Sequence, residues 1–445
     1  MSIYFFTMYI KANLRKNIHM RYITFIFTII GILLVPNLVS ADKMVTVKLR
    51  NYIGNTHELD IRIEGDYFSL DPTLHLKEGV NYTLSLKKGE LYLKNKGQKK
   101  QKITGGLILV PQVYDTNHVV FINDRPYLGA MEFIVEEDHS IRPINQLPLE
   151  DYLKGVVPFE VFSSWGLETL KAQTLAARTY AVSKMDQVMD DTISYQVYGG
   201  YEWDINTTKA VEETKGEVIT HNNRLVETFY SASNGGVTEN NANVWGGQPL
   251  NYFPIKDDPF DPTHPWEFSL HETQIDYESI DFSNPNWWEN TAERDKDITD
   301  TIKSWLNRNG YPGDIKILTV PEFELKGDQL DSGRSVSGSI SVTFMRRIFE
   351  GLVLFEQVQL KDVNLNRIRP MIGGTIFKSY LIDSLQLNSG VYTMKGRGFG
   401  HGVGMSQWGA HFMGEQGKNY REIISFYYPG TTIMDISSET LQQVK

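Results

Sequence analysis

The sequence predicts an α+β protein in which a β-rich N-terminal platform precedes a body of mixed helices and strands. Three observations carry this prediction. From residue 42 to about 146, short runs alternate apolar and polar residues and are punctuated by Gly, Asn and Asp. From Leu147 to Val182 the apolar period changes to that of a helix. Near the C-terminus, Gly396, Gly398, Gly400, Gly402, Gly404 and Gly409 form a block whose backbone can approach closely to itself or to a ligand. With 445 residues, 41% of them hydrophobic and 12% aromatic, the chain can fill a sizeable core and is expected to fold throughout.

The first 41 residues carry Lys11, Arg15, Lys16 and Arg21 and no acidic residue, then an apolar run from Ile23 to Val35 and the small-residue exit Val39-Ser40-Ala41. This succession predicts a signal peptide and an exported body beginning near Asp42, with Met8 or Met20 as alternative starts. The other reading is an uncleaved anchor, because Ile23 to Val39 approaches the length of a membrane span. The platform follows, with strands expected at Val45–Arg50, Leu59–Ile63, Tyr82–Leu86 and Val119–Asn123. The lysine-rich stretch Lys94 to Lys102 reads as a solvated hairpin tip.

Pro148 suits a first helical turn, Leu149, Tyr152 and Leu153 supply an apolar face, and Gly155 is placed to end the short helix. Pro158 then biases the chain toward extended geometry, so Glu160 is expected in an irregular segment. A second helix runs from Leu167 to about Met185, capped by Ser163, Ser164 or Gly166. Its Ala172, Ala176, Ala177 and Ala181 leave little side chain between it and its cover, which predicts burial. Farther on, a loop is read at Gln196–Gly200. A short helix ends at Gly216 and leads into a strand, and Glu227 to Glu239 gives a strand followed by a small-polar turn. Ser231, Ser233 and Asn234 could hydrogen-bond the hydroxyls of a ligand there or merely satisfy the turn.

Between Asn251 and Ser389 the sequence becomes individual. Four prolines make an irregular crossing, and Trp266, Trp287 and Trp288 are read as anchors of loops to the core rather than exposed stacking surfaces. A helix is expected at Ile298 to Asn307 and strands from Ile315 to Leu360. In the glycine block, His401 lies between Gly400 and Gly402 and is followed by Ser406-Gln407-Trp408, and a helix opens over Met405 to Met413.

Removing the four leader cations from a formal charge of −10 leaves a body near −14. Such a balance disfavours nucleic acid and attraction to anionic polymers. There are no cysteines, hence no disulfide, thiolate metal site or lipid-attachment cysteine. The ten histidines form no HExxH-like cluster, so neither a metal nor another cofactor is expected.

Two blocks carry a resemblance. Leu149-Glu-Asp-Tyr-Leu-Lys-Gly-Val-Val-Pro-x-Glu160 followed by Leu167-Glu-x-Leu-Lys-Ala-Gln-x-x-Ala-Ala-Arg-Thr-Tyr-Ala181, and then Gly398-Phe-Gly-His-Gly-Val-Gly-Met-Ser-Gln-Trp-Gly-Ala410, resemble the stage II sporulation protein D family, which includes the amidase enhancers. The resemblance covers roughly residues 120 to 250 and 390 to 432. With the composition and periodicity above, it gives a leader or anchor (1–41), a β-rich region (42–146), a catalytic lobe with Glu160 (147–250), a variable α+β region (251–389) and a glycine-rich block completing the groove (390–436).

That family implies lytic transglycosylation of peptidoglycan with Glu160 as the acid, and an extracytoplasmic location in the cell wall or on the outer face of the membrane. In this reaction the C6 hydroxyl of the muramic residue attacks its own anomeric carbon, so one carboxyl donates a proton and later takes one, where ordinary glycoside hydrolysis needs two. The carboxyl must start protonated, and Val156, Val157, Pro158, Phe159, Val161 and Phe162 supply apolar surroundings that favour this. If Glu160 instead accepted bonds from the next helix's N-terminus, its pKa would fall. Gln173, Tyr180, Ser231, Ser233, His401, Gln407 and Tyr428 are the expected substrate-binding residues by the same resemblance. A buried Arg178 pairing with a carboxylate is as expected as substrate contact. The alternative function is a non-catalytic glycan-binding activator of a cell-wall amidase.

Overall fold

The computed structural model describes residues 43–71, 73–95, 100–104, 106–349 and 351–436. The predicted leader, residues 1–41, lies outside them. Met1–Lys43 and Met44–Lys445 separate into two units, and every element below belongs to the second.

The alternation in the N-terminal third produces two six-stranded sheets. One runs in the order Met189–Asp190, Met44–Lys48, Ile141–Pro148, Ala130–Val135, Leu107–Pro111 and Tyr67–Ser69. The other runs Gln101–Lys102, Glu90–Asn95, Tyr82–Lys87, Glu58–Glu64, Val119–Ile122 and Arg125–Leu128. Val45, Val47, Leu59, Ile61 and Ile63, the apolar members of the alternating runs, all point into the core. Glu90–Asn95 and Gln101–Lys102 pair as the two arms of the lysine-rich hairpin; its residues 96–99 lie outside the described residues. Pairing is antiparallel throughout, except that Met44–Lys48 runs parallel to Met189–Asp190.

Strand Ile141–Pro148 is buried along nearly its whole length and runs straight into helix α1, Leu149–Lys154. Pro148 precedes the first turn and Gly155 follows the last, as the sequence predicts. A side chain at Gly155 would place its Cβ 2.3 Å from the carbonyl oxygen of Gly200, so only glycine lets the Gln196–Gly200 loop close onto α1. The next segment differs from expectation. Val157–Glu160 forms a one-turn helix, α2, because Pro158 sits in its first turn, where no N–H is needed.

Helix α3, Leu167–Lys184, is buried on both flanks. Ala177, Ala181 and Val182 pack with Leu147 of strand Ile141–Pro148 and with Tyr152 and Leu153 of α1. Ala172, Leu175 and Ala176 pack with Val403, Met405, Ala410, Ile423 and Tyr427 of the C-terminal block. The small residues thus allow close cover on two sides. α4 (Ile205–Glu213), capped by Asp204, leads through Gly216 into strand Glu217–His221, and α5 is Asn241–Trp245.

Residues 265–397 build a subassembly with its own core. Strand Pro265–His271 pairs with Val391–Arg397, which pairs with Ile382–Asn388. Three long strands, Asp314–Leu325, Ser337–Phe349 and Leu352–Asn364, form a second sheet covered by α7 (Lys296–Arg308) and α8 (Leu365–Ile372), with α6 (Trp287–Asn290) at one end. Trp266 and Trp288 are buried, as loop anchors should be, while Trp287 is half-buried against Phe282.

α9 (Gln407–Glu415) and α10 (Tyr420–Tyr427) bring the chain back against α3, and Thr432–Asp435 pairs with Glu217–His221. The return is fixed by Tyr230–Ser231, which runs parallel to Met405–Ser406. Bridges at Ser233 with Phe399 and at Glu239 with Val403 extend the contact. The two blocks quoted from the sequence therefore lie side by side. Among the described residues no helix is long and apolar enough to cross a membrane.

Candidate active site

Glu160 is the last residue of α2, and the chain becomes extended at Val161 (φ −138°, ψ 162°). Part of its side chain reaches solvent, while protein atoms crowd the carboxyl. The backbone N–H of Val197 donates to Oε1 at 3.2 Å, and the Tyr230 hydroxyl hydrogen-bonds the same carboxyl. Burial raises the Glu160 pKa from the ordinary 4.5 to about 7, and the two hydrogen bonds lower it by less. The backbone partner thus comes from the Gln196–Gly200 loop, not from the N-terminus of α3, and the carboxyl is pushed toward its neutral form.

The Val197 amide is aimed by a well-held loop. Gly199 N–H donates to the Gly155 carbonyl at 2.9 Å, and Tyr198 Oη donates to Asn145 Oδ1 at 2.9 Å. Gln196 uses both ends of its amide: Nε2 donates to the Ala177 carbonyl (3.2 Å) and to Tyr230 Oη (3.3 Å), and Oε1 accepts from Tyr152 Oη (3.3 Å). Since Gln196 occupies Tyr230 Oη as an acceptor, the tyrosine's own proton is left for Glu160.

Of the residues expected at the site, Gln407 and Gln173 lie at it. Gln407, first in α9, donates from Nε2 to the Glu160 backbone carbonyl at 3.1 Å and lies 3.5 Å from Gln173 Oε1. Gln173 is buried and its Nε2 has no protein acceptor. Tyr180 is half-buried, its hydroxyl pushed up to about 12, first by burial and then by neighbours that include Tyr195 and the Glu160 charge.

The others are engaged elsewhere in the fold. His401 meets this region through the Tyr230 backbone; its Nδ1 accepts from Val403 N–H at 3.0 Å, and its ring packs edgewise on Trp245 at 4.9 Å. Burial, then the nearby Arg334 guanidinium, pushes its pKa down to about 4, so it stays neutral at neutral pH. Ser231 Oγ accepts from Gly402 N–H at 3.3 Å. Gly400, with φ +113°, must lack a side chain, because its Cβ would come 2.5 Å from that of Ser231. Ser233 Oγ donates to Asp261 Oδ1 at 2.8 Å, and Tyr428, fully buried, donates to the Phe229 carbonyl at 2.8 Å.

Arg178 takes the carboxylate. It is fully buried, with Nε 3.0 Å from Glu150 Oε1 and Nη2 2.7 Å from Glu150 Oε2, and it also donates to Thr214 Oγ1 and to the Val211 and Glu217 carbonyls. Lys171 is likewise spent, on Glu168 at 3.1 Å and Glu213 at 2.8 Å. Among the described residues no three His, Asp or Glu side chains gather as metal ligands.

Tyr230 and Gln196 were not singled out for the site by sequence. One signal pointed to Tyr230: in a strand, neighbours alternate faces, so if Ser231 and Ser233 look toward the C-terminal block, Tyr230 looks the other way, toward Glu160.

The family model described as stage II sporulation protein (SpoIID) matches residues 137–221, a span holding Glu160 and helices α1 to α4. The amidase enhancer of Bacillus subtilis is 37% identical over 387 residues, covering 86% of this chain and 54% of that protein. Stage II sporulation protein D of B. subtilis is 27% identical over 316 residues (66% of this chain, 76% of that one), and that of Bacillus amyloliquefaciens 28% over 323 residues (67% and 78%). The chain therefore spans about half the length of the amidase enhancer.

Proposed function

Because the chain belongs to the family of stage II sporulation protein D and the amidase enhancers, we propose that it acts at the cell wall as a lytic transglycosylase, cleaving the glycan strands of peptidoglycan. The observation that carries this reading is a single carboxyl, crowded by protein atoms, whose pKa is pushed up to about 7 by burial, with two hydrogen-bond donors orienting it. Glu160 protonates the glycosidic oxygen as that bond to the muramic anomeric carbon breaks. The C6 hydroxyl of the same residue then attacks that carbon, and its proton passes to the Glu160 carboxylate, closing a 1,6-anhydro ring and restoring the acid. No water is consumed and no second carboxylate is required.

Tyr230 and Gln196 act here as positioning residues. Tyr230→Phe removes a bond that favours the ionised carboxyl, so the Glu160 pKa rises. Cleavage, which needs the acid form, falls in the wild type as pH rises through about 7. In the variant this limb should move to higher pH by somewhat under one unit, the worth of about 1 kcal/mol. Initial rates of glycan cleavage between pH 5 and 9 measure it, and an unmoved limb removes Tyr230 from this role.

A second reading has one observation behind it, the 37% identity to an amidase enhancer. On that reading the chain binds glycan and stimulates a wall amidase without cutting. Its location would be exported in either case, with the N-terminal segment as leader or tether.

A further inference from the structure

Two residues beyond Glu160, Phe162 has 61% of its surface exposed. Its ring meets Trp165 edgewise at 5.5 Å and Trp408 at 6.1 Å, and the two indoles meet at 5.1 Å. Phe162 and Trp165 come from the link between α2 and α3, whereas Trp408 follows Gln407, whose amide bonds the Glu160 carbonyl. The same contact that joins the two sequence blocks at the acid therefore also assembles this aromatic group.

The rings are braced from below. His411 stacks on Trp165 at 4.6 Å with planes 11° apart, and Phe412 lies 6.1 Å from Trp408 at 28°. At the rim His264 approaches Trp408 at 6.3 Å from a turn in which Thr263 and His264 both hold positive φ, +59° and +41°. For a β-branched threonine that is a strained conformation, kept because Gly398 N–H donates to the Thr263 carbonyl at 2.8 Å.

Resting on the glycan reading above, we propose that Phe162, Trp165 and Trp408 form a ledge on which a 2-acetamido sugar ring of a β-1,4-linked glycan stacks beside the bond to be cut. The C–H face of such a ring matches an aromatic face, and its equatorial hydroxyls and acetamido group remain free for polar neighbours. The ledge itself carries no lysine, arginine or carboxylate, and the acidic body disfavours anionic polymers, so neutral sugar faces are the fitting ligand. Three rings are too few for a protein partner, which needs on the order of 800 Å² on each side.

The test uses the full chain carrying Glu160→Gln, so that binding is read without cleavage, and the N-acetylglucosamine hexamer as probe in isothermal titration. Phe162→Ala should weaken binding roughly tenfold and Phe162→Tyr should restore it. Because Phe162 is exposed, its loss should leave the unfolding temperature unchanged, whereas Trp408→Ala can disturb packing; quenching of tryptophan fluorescence by the hexamer therefore serves as the second readout. If the parent binds the hexamer and Phe162→Ala binds equally, the ledge is wrong and the glycan reading stands. If the parent binds no hexamer, both fall. Binding of a wall amidase that is lost with Phe162→Ala, with hexamer binding unaltered, would assign the ledge to a protein instead.

Discussion

Glu160→Gln is expected to lower glycan cleavage by roughly 10⁴-fold or more, because a general acid or base typically contributes about 10²–10⁴-fold and here one group serves both half-reactions. Glutamine keeps the side chain's size and one oxygen to accept from Val197, but it neither donates nor recovers the proton. The stability effect has the opposite direction from that of a lost structural residue. The Glu160 pKa is about 7 in the fold against an ordinary 4.5, so the fold favours the neutral form. Relative to the unfolded chain, the stability this gives is fully present below about pH 4.5 and is lost as pH rises through about 7. Above pH 7 the fold holds a poorly solvated carboxylate, and Gln should then be more stable than Glu by about 1–3 kcal/mol, allowing for the partly accessible side chain. The gain should vanish near pH 4. Urea unfolding at pH 8 and pH 4 measures it, and a variant that is less stable at pH 8 would mark Glu160 as a structural cap.

Arg178→Ala carries the largest expected effect on stability. The guanidinium has no exposure and joins α3 to Glu150 of α1, to Thr214 and Val211 at the end of α4, and to the strand beginning at Glu217. Truncation strips the Glu150 carboxylate of its cation, leaving it the Gly216 N–H at 3.3 Å, and removes the guanidinium donor from the Val211 and Glu217 carbonyls. Breaking a buried pair from one side costs about 3–5 kcal/mol, and Arg178→Lys should recover only part of it because an ammonium cannot bridge both Glu150 oxygens. Denaturant unfolding is the readout. Unchanged stability together with lost glycan binding would turn Arg178 into a substrate contact.

Elements written in local pattern were legible before any coordinates. The platform strands follow from alternation, α1 from Pro148 and Gly155, α3 from its period and its alanines, and Glu160 from its apolar neighbours and the two matching blocks. α2 is not legible in the sequence because one turn is too short to show a period, and Pro158 reads as a breaker although a first turn accepts it. What the sequence hid was tertiary. Tyr230–Ser231 pairs with Met405–Ser406 across some 170 residues, which assigns Tyr230 to the acid and commits Ser231 to Gly402. Arg334 is a second case. It lies in the individual stretch 251–389, yet it is buried against the carbonyls of Asn234, Val237 and Thr238 and faces Glu239, fixing the turn that the glycine block covers. The aromatic ledge likewise draws on residues that only the fold brings together.

The most direct test is mass spectrometry of the products that the purified wild-type chain releases from peptidoglycan glycan strands, with and without stem peptides. Glu160 acting as the sole acid and base predicts fragments ending in 1,6-anhydromuramic acid, absent when Glu160→Gln replaces the wild type. Fragments with ordinary reducing ends, or intact strands from a chain that nonetheless stimulates a wall amidase, would contradict it.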